Sequence, residues 1–206
     1  MTGESMTRMS VASLLRVSTD NGSLILVAND RGVLGPLGGA CAYRPAATNV
    51  LSAMGWQPER AAVADLIDLR GLLPDRSLDT FQAWLASGQH RESGEESLRR
   101  EMTEELHGVG HPELANLVSA AELVHAGQRT EPPSPMPNST YRQARRFDLY
   151  DLMPGALRNK LDQLATDPTE PSVVAVTAED VASGRIGQLQ LGTQVMHLLP
   201  RDGGAR

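Results

Sequence analysis

The residues with chemistry to offer gather in one stretch, Glu92 to Leu106, reading ESGEESLRREMTEEL. It holds six carboxylates and two adjacent arginines, Arg99 and Arg100, with three apolar side chains among them. Glu101, Glu104 and Glu105 stand at i, i+3 and i+4, so a helix places them on one face. Like charges so placed repel, at about a few tenths of a kcal/mol per exposed pair. A divalent cation reverses that sign, because hard cations gather several carboxylate oxygens. The chemistry such a face supports is metal-assisted. The plainer alternative is an acidic amphipathic helix whose carboxylates simply face water. In either case Leu98, Met102 and Leu106 recur at i, i+4 and i+8 and supply the stripe that a helix turns inward.

The spacing carries more than the composition. Glu92, seven residues, Arg100-Glu101, the apolar Met102, one further residue and Glu104-Glu105 resemble the Nudix box, G-x5-E-x7-R-E-U-x-E-E-x-G-U, with U aliphatic. Every charged position is matched without a gap. The two glycine positions are not: the opening one falls on Ala86 and the closing one on His107, with Gly108 a residue late. A longer run, DLRGLLPDRSLDTFQAWLASGQHRE followed by RREMTEEL, with GPLGG upstream, is similar to the SMODS-associated Nudix family over about residues 33 to 106.

That resemblance implies an α/β fold, the Nudix α/β/α sandwich with a mixed sheet, here with an insertion ahead of the box helix. It implies Mg²⁺ (or Mn²⁺), with Glu104 and Glu105 as principal ligands. Glu101 would be a third ligand or a base orienting water. Arg100 would hold the carboxylates in place, with Glu92 as its partner. Gly35-Pro36-Leu37-Gly38-Gly39 is like the Pro-Gly-Gly that brings a backbone carbonyl to the metal, so Gly38 and Gly39 are expected beside Glu105. An ordinary glycine turn is the alternative there. A base beyond the box is not chosen by sequence; Glu122 and Glu131 are candidates, each otherwise a plain surface residue.

The family's domains occur with bacterial nucleotide-second-messenger defence systems, which implies an antiviral setting and a nucleotide-derived small molecule as partner. The activity implied is Mg²⁺-dependent hydrolysis of the phosphoanhydride in a nucleoside diphosphate linked to another group. The alternative is a Nudix domain that senses a nucleotide without cleaving it, and a third reading is a scaffold in an operon-encoded complex. A homodimer fits any of them.

Composition bounds these readings. The 206 residues suit one domain, taken here as residues 10–200, with an insertion over about 43–74 and flexible ends at 1–9 and 201–206. Hydrophobic residues make up 40%, enough for a core, but aromatics only 3%, so Leu, Val, Ala and Met must fill it. A net charge of −6 argues against a surface for duplex nucleic acid, though a metal can still neutralise phosphates locally. The single Cys41 can form no internal disulfide, which fits the cytoplasm, and no apolar run suggests a membrane span.

Around the box, the chain must supply elements to position it. Ser10–Val17 and Ser23–Val27 read as strands joined at Asn21-Gly22, with a second turn at Asn29-Asp30-Arg31-Gly32. Ala47–Met54 reads as a short helix closed by Gly55, and Ala62–Leu73 as a strand. Ser77 is the expected N-cap of a helix in which Leu78, Phe81, Trp84 and Leu85 face inward, ended by Ser87-Gly88. Beyond the box, Val118–Ala126 reads as a strand and the four-proline segment Glu131–Thr140 as a surface loop. Arg142–Leu152 reads as a strand whose Arg142, Arg145 and Arg146 face solvent or contact a phosphate. Ala156–Ala165 and Ala178–Ser183 read as helices, the second capped by Thr177 and stopped by Gly184. Ser172–Val176 is a strand, and Gln188–Leu199 closes the fold as strand or helix.

Overall fold

A computed structural model describes residues 4–29, 31–63 and 65–200 of the chain. The fold is mixed α/β with a mixed sheet and several helices. The chain divides into two compact units. The first takes the segment ending at Ser13, then Gly39–Ser97 and Gln128–Asp148; the second takes Leu14–Gly38, Leu98–Gly127 and the segment from Leu149.

The largest sheet has the order Gln57–Pro58, Arg70–Pro74, Met6–Arg16, Arg142–Leu152, Leu123–Pro135, with Gly38–Ala40 also on Met6–Arg16; Gln57–Pro58 and Arg70–Pro74 lie wholly in the first unit. Arg70–Pro74 runs antiparallel to the start of Met6–Arg16, from Met6 opposite Pro74 to Ser10 opposite Arg70. Met6–Met9, expected to belong to a loose start, are the first residues of this paired strand. Thr7 explains part of this: buried, it donates to Asp75 at 2.6 Å. The segment expected to be an insertion, Tyr43 to Pro74, gives this sheet two strands, Gln57–Pro58 and Arg70–Pro74. The single strand expected over Ala62–Leu73 is two, Ile67–Asp68 and Arg70–Pro74, with the fully buried Leu69 between them donating its N–H to Cys41 O. Aromatics are few but concentrated: Trp56 stacks on Phe81 at 5.1 Å, and Phe81 meets Trp84 at 5.7 Å. Leu51, Leu73 and Leu85 complete the core around them. The helix Leu78–Ser87 ends, as expected, at a left-handed Gly88, but Ser77 makes no side-chain cap. A 3-10 turn over Asp75–Ser77 leads into the helix instead.

The second unit packs its core from Val17, Ile25, Val27, Leu37 and the box stripe Leu98, Met102 and Leu106, with Leu157, Leu161 and Leu164 of the helix Ala156–Thr166. Leu24–Ala28 pairs with Val173–Val176 and with Leu34–Gly35, both antiparallel. The Asn-Gly turn forms as read: Gly22 takes φ 85° and its N–H donates to Thr19 O at 3.1 Å. Pairing across it stops at the bridge between Ser18 and Leu24, because Leu24–Ala28 belongs to a different sheet.

Two expectations fail after the box. Ala115–Ala120 is a helix, entered through a 3-10 turn at Pro112–Leu114, where a strand was expected from Val118. The strand begins at Leu123 and runs through the prolines to Pro135. It lies at the end of the sheet order, where only one side of a strand is paired and prolines are tolerated. Thr177 caps Ala178–Ser183 through a reciprocal box with Asp180. Gln188–Leu199 resolves into the short strand Leu189–Gln190 and a 3-10 helix, Thr193–Leu198. The expected loose tail from Arg201 lies outside the described residues, as do Asp30 and Ala64. Among the described residues no helix is long and apolar enough to cross a membrane.

Candidate functional site

The box forms the helix Gly94–Gly108, and its start is held in the first unit. Ser93 N–H donates to Glu96 at 2.7 Å, and Glu96 N–H donates to Ser93 Oγ at 3.1 Å, a reciprocal capping box. Glu92 precedes the helix and is only 5% exposed. Its carboxylate accepts Ala42 N–H at 3.0 Å while its own N–H donates to Ala42 O at 2.9 Å. Ser97 Oγ adds a bond to Ala40 O at 3.2 Å. The first glutamate of the box thus fixes the backbone that leads into the helix. Gly39, in Gly38–Ala40, belongs to this same unit and is half-buried.

The missing box glycines have a local explanation. Ala86 lies inside the helix Leu78–Ser87, where no glycine conformation is needed. His107 lies inside the box helix, and the positive φ that ends it is taken by Gly110, at 95°.

The carboxylate cluster lies wholly in the second unit. Gly38, at φ 122°, donates its N–H to Glu105 Oε2 at 2.8 Å. The glycine turn therefore stands directly against the box helix, and the left-handed backbone there favours glycine. Arg100 Nη1 lies 2.7 Å from Glu101 Oε1 and 3.6 Å from Glu104 Oε1, so one guanidinium holds two of the three carboxylates. Burial is the main cause that pushes Glu105 up to about 8. Glu101 and Glu104 raise it further, while the Gly38 N–H pulls the other way. These side chains open on a cleft of about 410 Å³, walled also by Val27, Val33, Pro36 and Gln194.

Other nominated residues go elsewhere. Glu131 pairs with Arg145 at 3.6 Å, Arg142 with Asp75 and Arg146 with Asp148, so the three arginines are engaged by carboxylates. Glu122 lines a separate depression with Leu152 and Arg158. Arg99, beside Arg100, holds the end of the helix Ala115–Ala120 through the carbonyls of Val118 at 2.5 Å and Ala121 at 2.8 Å. Gln194 and Asn29 line the cleft and were not signalled by sequence, since a lone amide in a polar context has no distinguishing spacing.

Among the described residues, no three His, Cys, Asp or Glu side chains form a ready-made metal cage. Mg²⁺ does not require one, because it keeps several waters and takes one or two carboxylates. The donor set fits such an ion: three oxygen-bearing side chains on one helix face, one of them half-buried against like charge.

The profile of the SMODS-associated NUDIX domain matches residues 6–199. The chain belongs to that family, and so to the Nudix superfamily, whose members are generally hydrolases that use divalent metals. The match extends well beyond the stretch of motif resemblance and includes the segment Tyr43–Pro74. No curated protein and no solved structure matches the chain.

Proposed function

We propose that the protein hydrolyses the phosphoanhydride of a nucleoside diphosphate linked to another group, using Mg²⁺ or Mn²⁺. The observation that carries this is Glu105, half-buried beside Glu101 and Glu104 and held by the Gly38 N–H. Glu104 and Glu105 would hold the ion, with the carbonyl of Gly38 as a backbone donor. The ion supplies charge neutralisation at the phosphates and activation of water. The chain supplies position. Arg100 restrains Glu101 and Glu104, and the Gly38 N–H restrains Glu105, so less side-chain freedom is lost on binding. Glu101, held by Arg100, would be a third ligand or the base that orients the attacking water. Glu92 acts by fixing the start of the helix. The acidic chain suits a small nucleotide-derived partner rather than duplex nucleic acid or a membrane, in a bacterial nucleotide-signalling defence setting. A homodimer is compatible with it.

A second reading is a domain that senses a nucleotide without cleaving it. It is favoured by Arg100, which already neutralises Glu101 and Glu104 and so competes with an incoming cation. One experiment separates the two: a nucleotide library screened with Mg²⁺ by phosphate release and thermal shift together. Release with a shift supports the hydrolase. A shift without release supports the sensor. Neither signal, together with no Mg²⁺ binding by calorimetry, would leave only the scaffold.

A further inference from the structure

The cleft has a polar side chain that metal chemistry leaves unused. Gln194 sits in the 3-10 helix Thr193–Leu198 and lines the same cavity as Glu101, Glu104 and Glu105. It is half-buried, and among the described residues no protein group hydrogen-bonds its amide. The other amide in the wall, Asn29, is committed: its Oδ1 accepts the N–H groups of Arg31 at 2.9 Å and Val33 at 3.1 Å and holds a turn.

Gln194 is also held in place. Gly192 N–H donates to Leu34 O at 2.8 Å, tying this segment to the strand Leu34–Gly35. Val195 and Leu198, which follow it in the same 3-10 helix, are buried. The amide occupies space left by two glycines. A Cβ at Gly192 would fall 2.8 Å from Oε1, and one at Gly35 would fall 3.4 Å from Nε2. The chain therefore aims an unpaired donor and acceptor into the cleft from a fixed base.

We infer that Gln194 reads the nucleobase of the ligand, and this rests on the phosphoanhydride reading above. A primary amide presents one donor and one acceptor side by side, which matches a base edge offering the complementary pair. It cannot neutralise a phosphate. The walls beside it, Val27, Val33 and Pro36, are apolar and suit the flat face of a base better than a hydroxyl-bearing sugar. The spacing agrees. Gln194 stands at Gly35 and Glu105 at Gly38, and three residues of chain span at most about 10 Å. A nucleoside diphosphate places its base and phosphates on that scale.

The test is calorimetry on the full chain with Mg²⁺, using ADP, GDP, CDP, UDP and inorganic pyrophosphate as probes. Gln194→Leu removes the amide. Gly192→Ala keeps it but displaces it, at little cost to the fold, because the clash is with the end of a flexible side chain. The wild type should bind at least one nucleoside diphosphate about tenfold more tightly than pyrophosphate. Both variants should lose about that factor for the nucleotide and leave pyrophosphate within about twofold. Thermal unfolding reports whether Gln194→Leu is folded, and Gly192→Ala decides if it is not. Equal losses for both probes, or none, overturn the inference while the phosphoanhydride reading stands. A wild type that binds neither nucleotides nor pyrophosphate overturns both.

Discussion

Glu105 carries two opposed demands. Its burial favours the protonated carboxyl, and its neighbours Glu101 and Glu104 push the same way, yet only the carboxylate makes full use of the Gly38 N–H and of a cation. A group in this position is poorly satisfied without a ligand. Glu104→Gln combined with Glu105→Gln should abolish Mg²⁺ binding and any hydrolysis, while the melting temperature stays level or rises as the repulsion is relieved. Calorimetry and thermal unfolding on the same preparation check this; an unchanged metal affinity would remove these residues from the site. The charged positions could be nominated from sequence because Glu92, Arg100-Glu101 and Glu104-Glu105 match the spacing of the box without a gap. Gln194 could not, since what distinguishes it is the space left by Gly35 and Gly192, which only the fold creates.

At the scale of elements, periodicity found the helices whose apolar stripe is continuous, such as Leu98, Met102, Leu106 and Leu157, Leu161, Leu164. It failed where local composition and position in the sheet disagree. Prolines argued for a loop over Glu131–Thr140, but a strand at the end of the sheet order, paired on one side only, tolerates them as far as Pro135. The serine before Leu78 looked like a cap and is not one, whereas Ser93, passed over, makes the reciprocal bonds with Glu96. Two substitutions grade these devices by urea unfolding. Ser93→Ala should cost about 1 kcal/mol, the usual loss for an N-cap. Gly71→Ala should cost about 3 kcal/mol, as an overpacked site does, because its Cβ would lie 2.4 Å from the Gln57 carbonyl and 2.8 Å from the Trp56 ring. Equal losses in the two variants would mean that Gly71 relaxes freely and does not hold Gln57–Pro58 against Arg70–Pro74.

For the whole molecule, the site's electrostatics become a dependence of stability on pH. The unfolded chain titrates Glu105 at its ordinary 4.5 and the folded chain at about 8. Between those values the native state holds more protons than the unfolded one, so stability falls as pH rises. The penalty is absent below about 4.5 and complete above about 8. The shifted carboxylates Asp75, Glu96 and Glu170 behave oppositely. Hydrogen bonds hold them below their ordinary range, so their contribution is intact above it and is lost only in more acidic solution. The interval from about pH 5 to 8 therefore isolates Glu105 from them. With chelator present, the melting temperature of the wild type should decline across that interval and that of Glu105→Gln should decline less. With Mg²⁺ the order reverses: the cation binds the deprotonated carboxylate, so the stabilisation it gives should grow with pH over the same range and be absent in Glu105→Gln. Parallel wild-type and Glu105→Gln profiles in chelator would mean that Glu105 is solvated in the folded chain and titrates as an ordinary surface glutamate.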